Sequence, residues 1–273
     1  LAATCAAIRE RGLIPGLWFE LETVGPDADA WNRTEWMLQR DGVPIQSGAR
    51  RFWDFRREAV HDYLEERVID RLEACGIGYL KVDYNETIGL GADGGASPGE
   101  ALREHICGVH RFFRRIRQRL PDLVIENCSS GGHRLEPLMV GLTAMSSFSD
   151  AHETREIPIV AANVQRLIPP AASQIWAVLH PTDNEQRLVY SLAATFLGRM
   201  CLSGEVAELD EEQWRIVQHA QALYRRAAPV IREGFSSRIG PRVLSYRHPE
   251  GWQAVVRTAQ DNGSALVVVH TFG

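Results

Sequence analysis

Short apolar runs alternate with amphipathic helical stretches along most of the 273 residues, and three successive runs stop at polar or acidic residues. Gly-Ile-Gly-Tyr-Leu-Lys-Val-Asp-Tyr-Asn (76–85) delivers Asp83, Leu123 to Glu126 runs into Asn-Cys-Ser-Ser-Gly-Gly-His-Arg (127–134), and Leu142 to Phe148 delivers Asp150. Repeated βα units of this spacing predict a parallel sheet, and their number favours a closed (β/α)8 TIM barrel over an open doubly wound sheet. Such a barrel keeps its active site at the carboxyl ends of its strands, where these polar groups converge.

The helical and apolar segments follow in order. A helix over 1–11 stops at Gly12, and a strand over Leu13 to Glu20 follows. After a polar, Trp-rich excursion (22–53), Arg56 to Ala74 carries helical periodicity and closes at Cys75-Gly76 before the strand Ile77 to Val82. A Gly-rich stretch (89–95) lacks both phosphate-binding glycine patterns and reads as a plain mobile loop, and Ser97-Pro98 opens a helix to about Leu120. Helices at 135–140, 156–167 and 186–197 and strands near 174–179 and 199–203 continue the alternation. About six strands are counted where the barrel needs eight, so the expectation is that two precede Leu1. After a helix from Glu211 to about Arg232, Val243 to Tyr246 and Ala265 to His270, around Asp-Asn-Gly, read as antiparallel strands. The expected division is a partial barrel over 1–235 and the start of a C-terminal antiparallel β-sandwich over 236–273.

A chain of this size with 45% hydrophobic residues buries a large core. Its formal net charge of -5, with arginines spread over helical faces, gives no reason to expect nucleic acid, and no apolar stretch is long enough to span a membrane. The five cysteines are odd in number and widely spaced, which predicts reduced thiols in a cytosol-like compartment. Neither a metal nor a cofactor is expected, because no Cys-x-x-Cys or His-x-His spacing exists. A chain beginning in mid-helix without an initiator Met reads as a fragment, which leaves a signal peptide open.

Asp83 could be a turn cap, but Lys81, two residues earlier, points to the same side of the strand, and a cation there keeps a carboxylate ionised, as a nucleophile requires. Asp150 could equally be a helix N-cap. Taken together, two strand-end carboxylates are what displacement at an acetal carbon needs, one attacking and the other protonating the departing oxygen. A thiol mechanism at Cys128 with His133 or His152 as base is disfavoured, since no helix N-terminus precedes the cysteine. The adjacent glycines are expected to let backbone amides approach a ligand. His61, His105, His110 and His219 fall on predicted helices and read as surface or core residues. Trp18, Trp31, Trp36 and Trp53 cluster near the first strand end and offer faces for sugar stacking.

Gly-Leu-Trp-Phe-Glu (16–20) with Trp-Met-Leu-Gln-Arg (36–40), Leu-Lys-Val-Asp-Tyr-Asn (80–85), Glu-Asn-Cys-Ser-Ser-Gly-Gly-His-Arg (126–134) and Ser-Phe-Ser-Asp (147–150) closely resemble the catalytic barrel of glycoside hydrolase family 36, the large microbial α-galactosidases. The resemblance runs in order from about residue 1 to 205. It implies Asp83 as nucleophile and Asp150 as acid/base, with sugar contacts from Trp18, Lys81, Asn85, Cys128 and Gly131, and from Arg51, which aligns only with a gap. Val82 replaces a usual Trp, Leu21 stands where Glu-Pro-Glu is common, and His133 interrupts the glycine run. An acidic pair that holds the galactose hydroxyls in the family lies on an earlier strand, outside this chain.

The resemblance implies a retaining exo-glycosidase acting on terminal α-galactosyl groups of oligosaccharides, with carboxyl groups roughly 5–6 Å apart against about 6.5–9.5 Å for inversion. It leaves open an α-N-acetylgalactosaminidase and a galactosyl transferase of the raffinose-synthase kind, and it implies a homo-oligomer by analogy with longer members. A non-catalytic sugar-binding barrel and an aldolase using Lys81 as Schiff base are the rival classes.

Overall fold

The computed structural model describes residues 1–150 and 155–272. They form two compact units, one of residues 1–130 with 136–144, the other of 131–135 with 145–150 and 155–272. Among the described residues no helix is long and apolar enough to cross a membrane.

In the first unit the βα rhythm of the sequence holds. Helix α1 (Ala2–Glu10) leads into β1 (Gly16–Phe19), which starts later than its apolar run because Pro15 has no N–H to give a ladder. Strands β7 (Tyr79–Val82) and β8 (Val124–Asn127) follow, and β1, β7 and β8 pair in parallel with Trp18 opposite Lys81 and Lys81 opposite Glu126. The excursion between β1 and the next helix is made of short antiparallel ladders, β2 (Thr23–Val24) and β5 (Gln46–Ser47) on either side of β6 (Arg50–Phe52), and β3 (Gln39–Arg40) against β4 (Val43–Pro44).

Helix α2 (Glu58–Leu64) continues through a π-helical turn (Glu65–Ile69) into α3 (Asp70–Cys75), which ends as the sequence indicates, with Gly76 in the left-handed region at φ 60°. Ser97 caps the 22-residue α4 (Pro98–Arg119), its Oγ accepting the Glu100 N–H at 3.1 Å. Helix α5 (Pro137–Leu142) completes the unit. Its core packs Leu80, Val82, Phe112, Phe113, Ile116 and Ile125 between strands and helices.

The stretch expected to be a mobile loop is tied down. Arg40 Nη2 donates to the Ile88 and Gly91 carbonyls at 2.8 and 2.7 Å, and the Asp93 carboxylate accepts the N–H groups of Asp41 and Gly42. Three histidines on α2 and α4, His61, His105 and His110, are buried, and two of them hold the backbone of Phe55: His61 Nε2 lies 2.9 Å from its carbonyl, and its N–H donates to His105 Nδ1 at 3.3 Å.

In the second unit β9 (Met145–Ser147), β10 (Ser173–Leu179) and β11 (Arg199–Gly204) are parallel neighbours, with α6 (Ile157–Val164), α7 (Glu185–Thr195) and α8 (Glu211–Glu233) as the helices. Asp210 and Gln213 form a capping box at the start of α8. An antiparallel sheet in the order β12 (Phe235–Ile239), β13 (Gly251–Thr258), β14 (Ala265–Phe272) ends the chain, with Asp261-Asn262-Gly263 in the β13–β14 turn.

One expected strand is absent: Val243 to Tyr246 is irregular and Leu244 is 85% exposed, whereas β13 carries the pairing. The inward side of β13 holds Gln253 and Arg257, polar residues that disguise the alternation of a buried strand. Arg257, 1% exposed, donates to the Phe196 and Leu197 carbonyls and to Ser236 Oγ, and burial pulls its guanidinium down to about 10.

Candidate active site

Asp83 immediately follows β7, and its backbone N–H still donates to Phe19 O at 2.9 Å, so parallel pairing fixes where its side chain begins. Asp83 is only 7% exposed. Trp18 Nε1 donates to Oδ2 at 3.3 Å, and the N–H groups of Tyr84 and Ser130 donate to Oδ1 at 2.9 and 3.4 Å. Burial pushes the carboxyl pKa up, but hydrogen bonds from Asn85, Trp18 and Cys128 and from the Tyr84 N–H outweigh it, and the net shift is downward. Asp83 is therefore ionised at neutral pH.

Lys81 does lie on the Asp83 side of β7 by strand parity, yet its Nζ is 3.6 Å from Glu126 Oε1, its partner across the β7–β8 ladder. Tyr79 donates to the other oxygen of the same carboxylate. Hydrogen bonds, with those of Asn85 and Trp18 foremost, depress the Asp83 pKa.

Asn85 and the loop after β8 complete this cluster. Cys128 is fully buried, its N–H donating to Val82 O at 2.8 Å. Ser129 Oγ donates to Tyr84 O at 2.6 Å. Ser130 has φ 43°, uncommon for a side-chain-bearing residue, and its N–H and Oγ both reach Asn85 Oδ1, at 2.9 and 3.0 Å. Asn85 Nδ2 donates to Glu20 Oε1 at 2.5 Å. Neither Glu20 nor Ser130 was singled out from the sequence, although both stand at strand ends within the motifs quoted above.

Of the four clustered tryptophans only Trp18 offers an exposed face, at 52%. Trp53 is core, Trp36 packs on Trp53 and Tyr63 with Arg33 over its ring, and Trp31 lies beneath Arg51. Arg51 stacks on Trp31 at 3.9 Å and donates to its carbonyl at 2.9 Å, and no hydrogen bond joins it to Asp83. The structure thus places Arg51 outside the Asp83 cluster.

In the second unit Asp150 is exposed and lies just beyond β9. Ser149 forms an antiparallel bridge with Gly131, which has φ 84°. A Cβ at Gly131 would fall 2.7 Å from Asp150 N and Ser149 Cα, and one at Gly132 would fall 2.5 Å from Phe148 O. These glycines make room for the segment that carries Asp150. His152 lies outside the described residues. Among the described residues no group of three or more His, Cys, Asp or Glu side chains is placed to hold a metal ion. An apolar groove of about 470 Å³ between α7 and α8 is lined by none of the candidate residues.

Parallel strands joined through helices, with a buried carboxylate at one strand end and an exposed indole beside it, define an α/β protein. The family model of Melibiase matches residues 1–234, and the chain belongs to that family. The bifunctional α-galactosidase/sucrose kinase AgaSK of Mediterraneibacter gnavus is 31% identical over 243 residues, 86% of this chain and 25% of the relative. Alpha-galactosidase 2 of Pediococcus pentosaceus is 24% identical over 248 residues, 88% of this chain and 34% of the relative. In fold, the GH36 α-galactosidase AgaA of Geobacillus stearothermophilus is matched at TM-score 0.84 and 23% identity, over 97% of this chain and 37% of that one. A variant of it in complex with raffinose is matched at TM-score 0.86 and 22% identity, with the same coverage. The chain thus spans a quarter to about a third of the length of the curated relatives it matches.

Proposed function

We propose that this chain forms the greater part of the catalytic barrel of an α-galactosidase that works with retention, with residues 236–273 beginning a separate β domain. The switch from parallel strands to an all-antiparallel sheet after α8 supports that division. The observation that carries the functional reading is Asp83, buried, ionised and oriented by donors from Trp18 and from the Tyr84 and Ser130 N–H groups, beside an exposed Trp18 face.

An ionised Asp83 attacks the anomeric carbon of a terminal α-galactosyl group as the bond to the aglycone oxygen breaks, and Asp150 gives that oxygen its proton. Asp150, now a carboxylate, takes a proton from water, whose oxygen attacks the same carbon and displaces Asp83. Two inversions give net retention. Trp18 supplies a flat apolar face for the C–H side of the sugar, Lys81, Asn85 and Cys128 supply polar contacts, and the Gly131 segment supplies backbone. Relatives named α-galactosidase and the raffinose complex of a structural neighbour support a galactoside as substrate.

The test is release of p-nitrophenol from p-nitrophenyl α-galactoside by the intact protein, with Asp83→Ala as control. Turnover lost in the variant supports the reading. A folded wild type inert on α-galactosides, including raffinose, rules it out.

A further inference from the structure

Glu20 follows the last residue of β1 and reaches the Asp83 cluster through another side chain. One of its carboxylate oxygens accepts from Asn85 Nδ2 and the other from Arg50 Nε, each at 2.5 Å. Arg50 also contacts Glu86 at 3.1 Å, and Ser47 Oγ donates to Glu86 at 2.6 Å. The Glu20 side chain is only 9% exposed, unlike a surface ion pair whose partners are bathed in water.

The chemistry of the partners fixes the orientation of the Asn85 carboxamide. The Ser130 N–H can only donate, so the carbonyl faces Ser130, and the Glu20 carboxylate can only accept, so the amine faces Glu20. The Ser130 N–H that meets this carbonyl at 2.9 Å also donates to Asp83 Oδ1 at 3.4 Å, so the Asn85 carbonyl and the Asp83 carboxylate share one donor, and Arg50 compensates the charge of Glu20.

We propose that Glu20, with Arg50 as its counter-charge, is a positioning residue that holds the Asn85 carboxamide, and through its carbonyl the Ser130 N–H that donates to Asp83. The inference rests on Asp83 acting as nucleophile. The charged groups on the elements around Asp83 are Glu20, Arg50, Glu86, Lys81 and Glu126, with the Cys128 thiol.

Two substitutions separate the hydrogen bond from the charge. Glu20→Ala removes both, and the lost hydrogen bond raises the Asp83 pKa. Glu20→Gln keeps an acceptor oxygen for Asn85 while removing a negative charge, which lowers that pKa if it acts at all. With an activated aryl α-galactoside, Glu20→Ala is expected to reduce kcat/KM roughly 10- to 100-fold, mainly in kcat, and to move the acid limb of the pH profile upward. Glu20→Gln is expected to recover most of that loss with its acid limb at or below the wild-type position. An Ala variant that loses activity equally at every pH, or a Gln variant no better than Ala, overturns the proposal.

The Asp83 carboxyl carbon, followed by NMR against pH in wild type and both variants, gives the same comparison without turnover. If the wild type proves inert on galactosides, this titration still decides the positioning role. An unmoved Asp83 titration in Glu20→Ala defeats it in an otherwise active enzyme.

Discussion

Trp18 Nε1 lies 3.3 Å from Asp83 Oδ2, so one half-exposed indole both donates to the buried carboxylate and keeps a face open to solvent. The two roles separate by substitution. Trp18→Phe keeps the face and removes the donor, so kcat/KM is expected to fall about 10-fold with the acid limb displaced upward, because a hydrogen bond to the ionised form is lost. Trp18→Ala removes the face as well and is expected to raise KM further. Initial rates across pH distinguish them, and an unchanged acid limb in Trp18→Phe contradicts the donor role.

The two aspartates are expected to fail differently. In Asp83→Ala the first step is blocked for every substrate, and added azide takes the vacated position to give the β-galactosyl azide, the inverted product. Asp150→Ala is expected to spare substrates with good leaving groups, which need little protonation, and to fall on natural oligosaccharides by about 100-fold or more. Product configuration by NMR reads the first, and the ratio of rates on aryl and natural galactosides reads the second. Equal losses on both substrates would remove Asp150 from the acid/base role.

Gly131 tests the link between backbone and Asp150. At φ 84°, and with a Cβ only 2.7 Å from Asp150 N and Ser149 Cα, Gly131→Ala has to strain its backbone or push the Asp150 segment away. A loss of about 1–3 kcal/mol in urea unfolding is expected for the strained conformation alone. The activity of the variant should resemble that of Asp150→Ala, sparing activated substrates, if the segment gives way. Loss on both substrate types would place the damage elsewhere.

What was legible in the sequence was local. The βα alternation, the Gly76 stop, the Ser97 cap and the carboxylate following β7 each depend on residues near in sequence, and each stands where the chain predicts it. Cross-strand partnership was not legible. Parity puts Lys81 on the side of Asp83, but only the register of β7 against β8 shows that Glu126 stands opposite the lysine. The Asn85–Glu20 and Ser130–Asn85 bonds join residues 65 and 45 positions apart, beyond any spacing rule. The misplaced C-terminal strand has a different cause: the buried positions of β13 hold Gln253 and Arg257, whose N–H donors reach carbonyls elsewhere, that of Pro158 for Gln253 and those of Phe196 and Leu197 for Arg257.

Buried histidines set the response of the fold to acid. His105 is held near 4, chiefly by burial, with Asp54 raising it and Arg56 lowering it. His270 is likewise pushed to about 4 by burial, and burial also lowers His61. A histidine whose folded pKa lies below its unfolded value of about 6.5 stays neutral in the native state while the unfolded chain takes up a proton. Its contribution is therefore fully present above pH 6.5 and declines as pH falls from there towards 4. Each group shifted from 6.5 to about 4 removes at most about 3 kcal/mol at the acid end. Urea unfolding at steps between pH 7.5 and 4.5 should show stability falling with pH below 6.5. His105→Gln should unfold more easily at pH 7.5, since the Phe55 N–H loses its ring acceptor, but with a shallower dependence on pH. A slope unchanged in His105→Gln would show that this histidine is protonated in the folded protein as readily as in the unfolded chain.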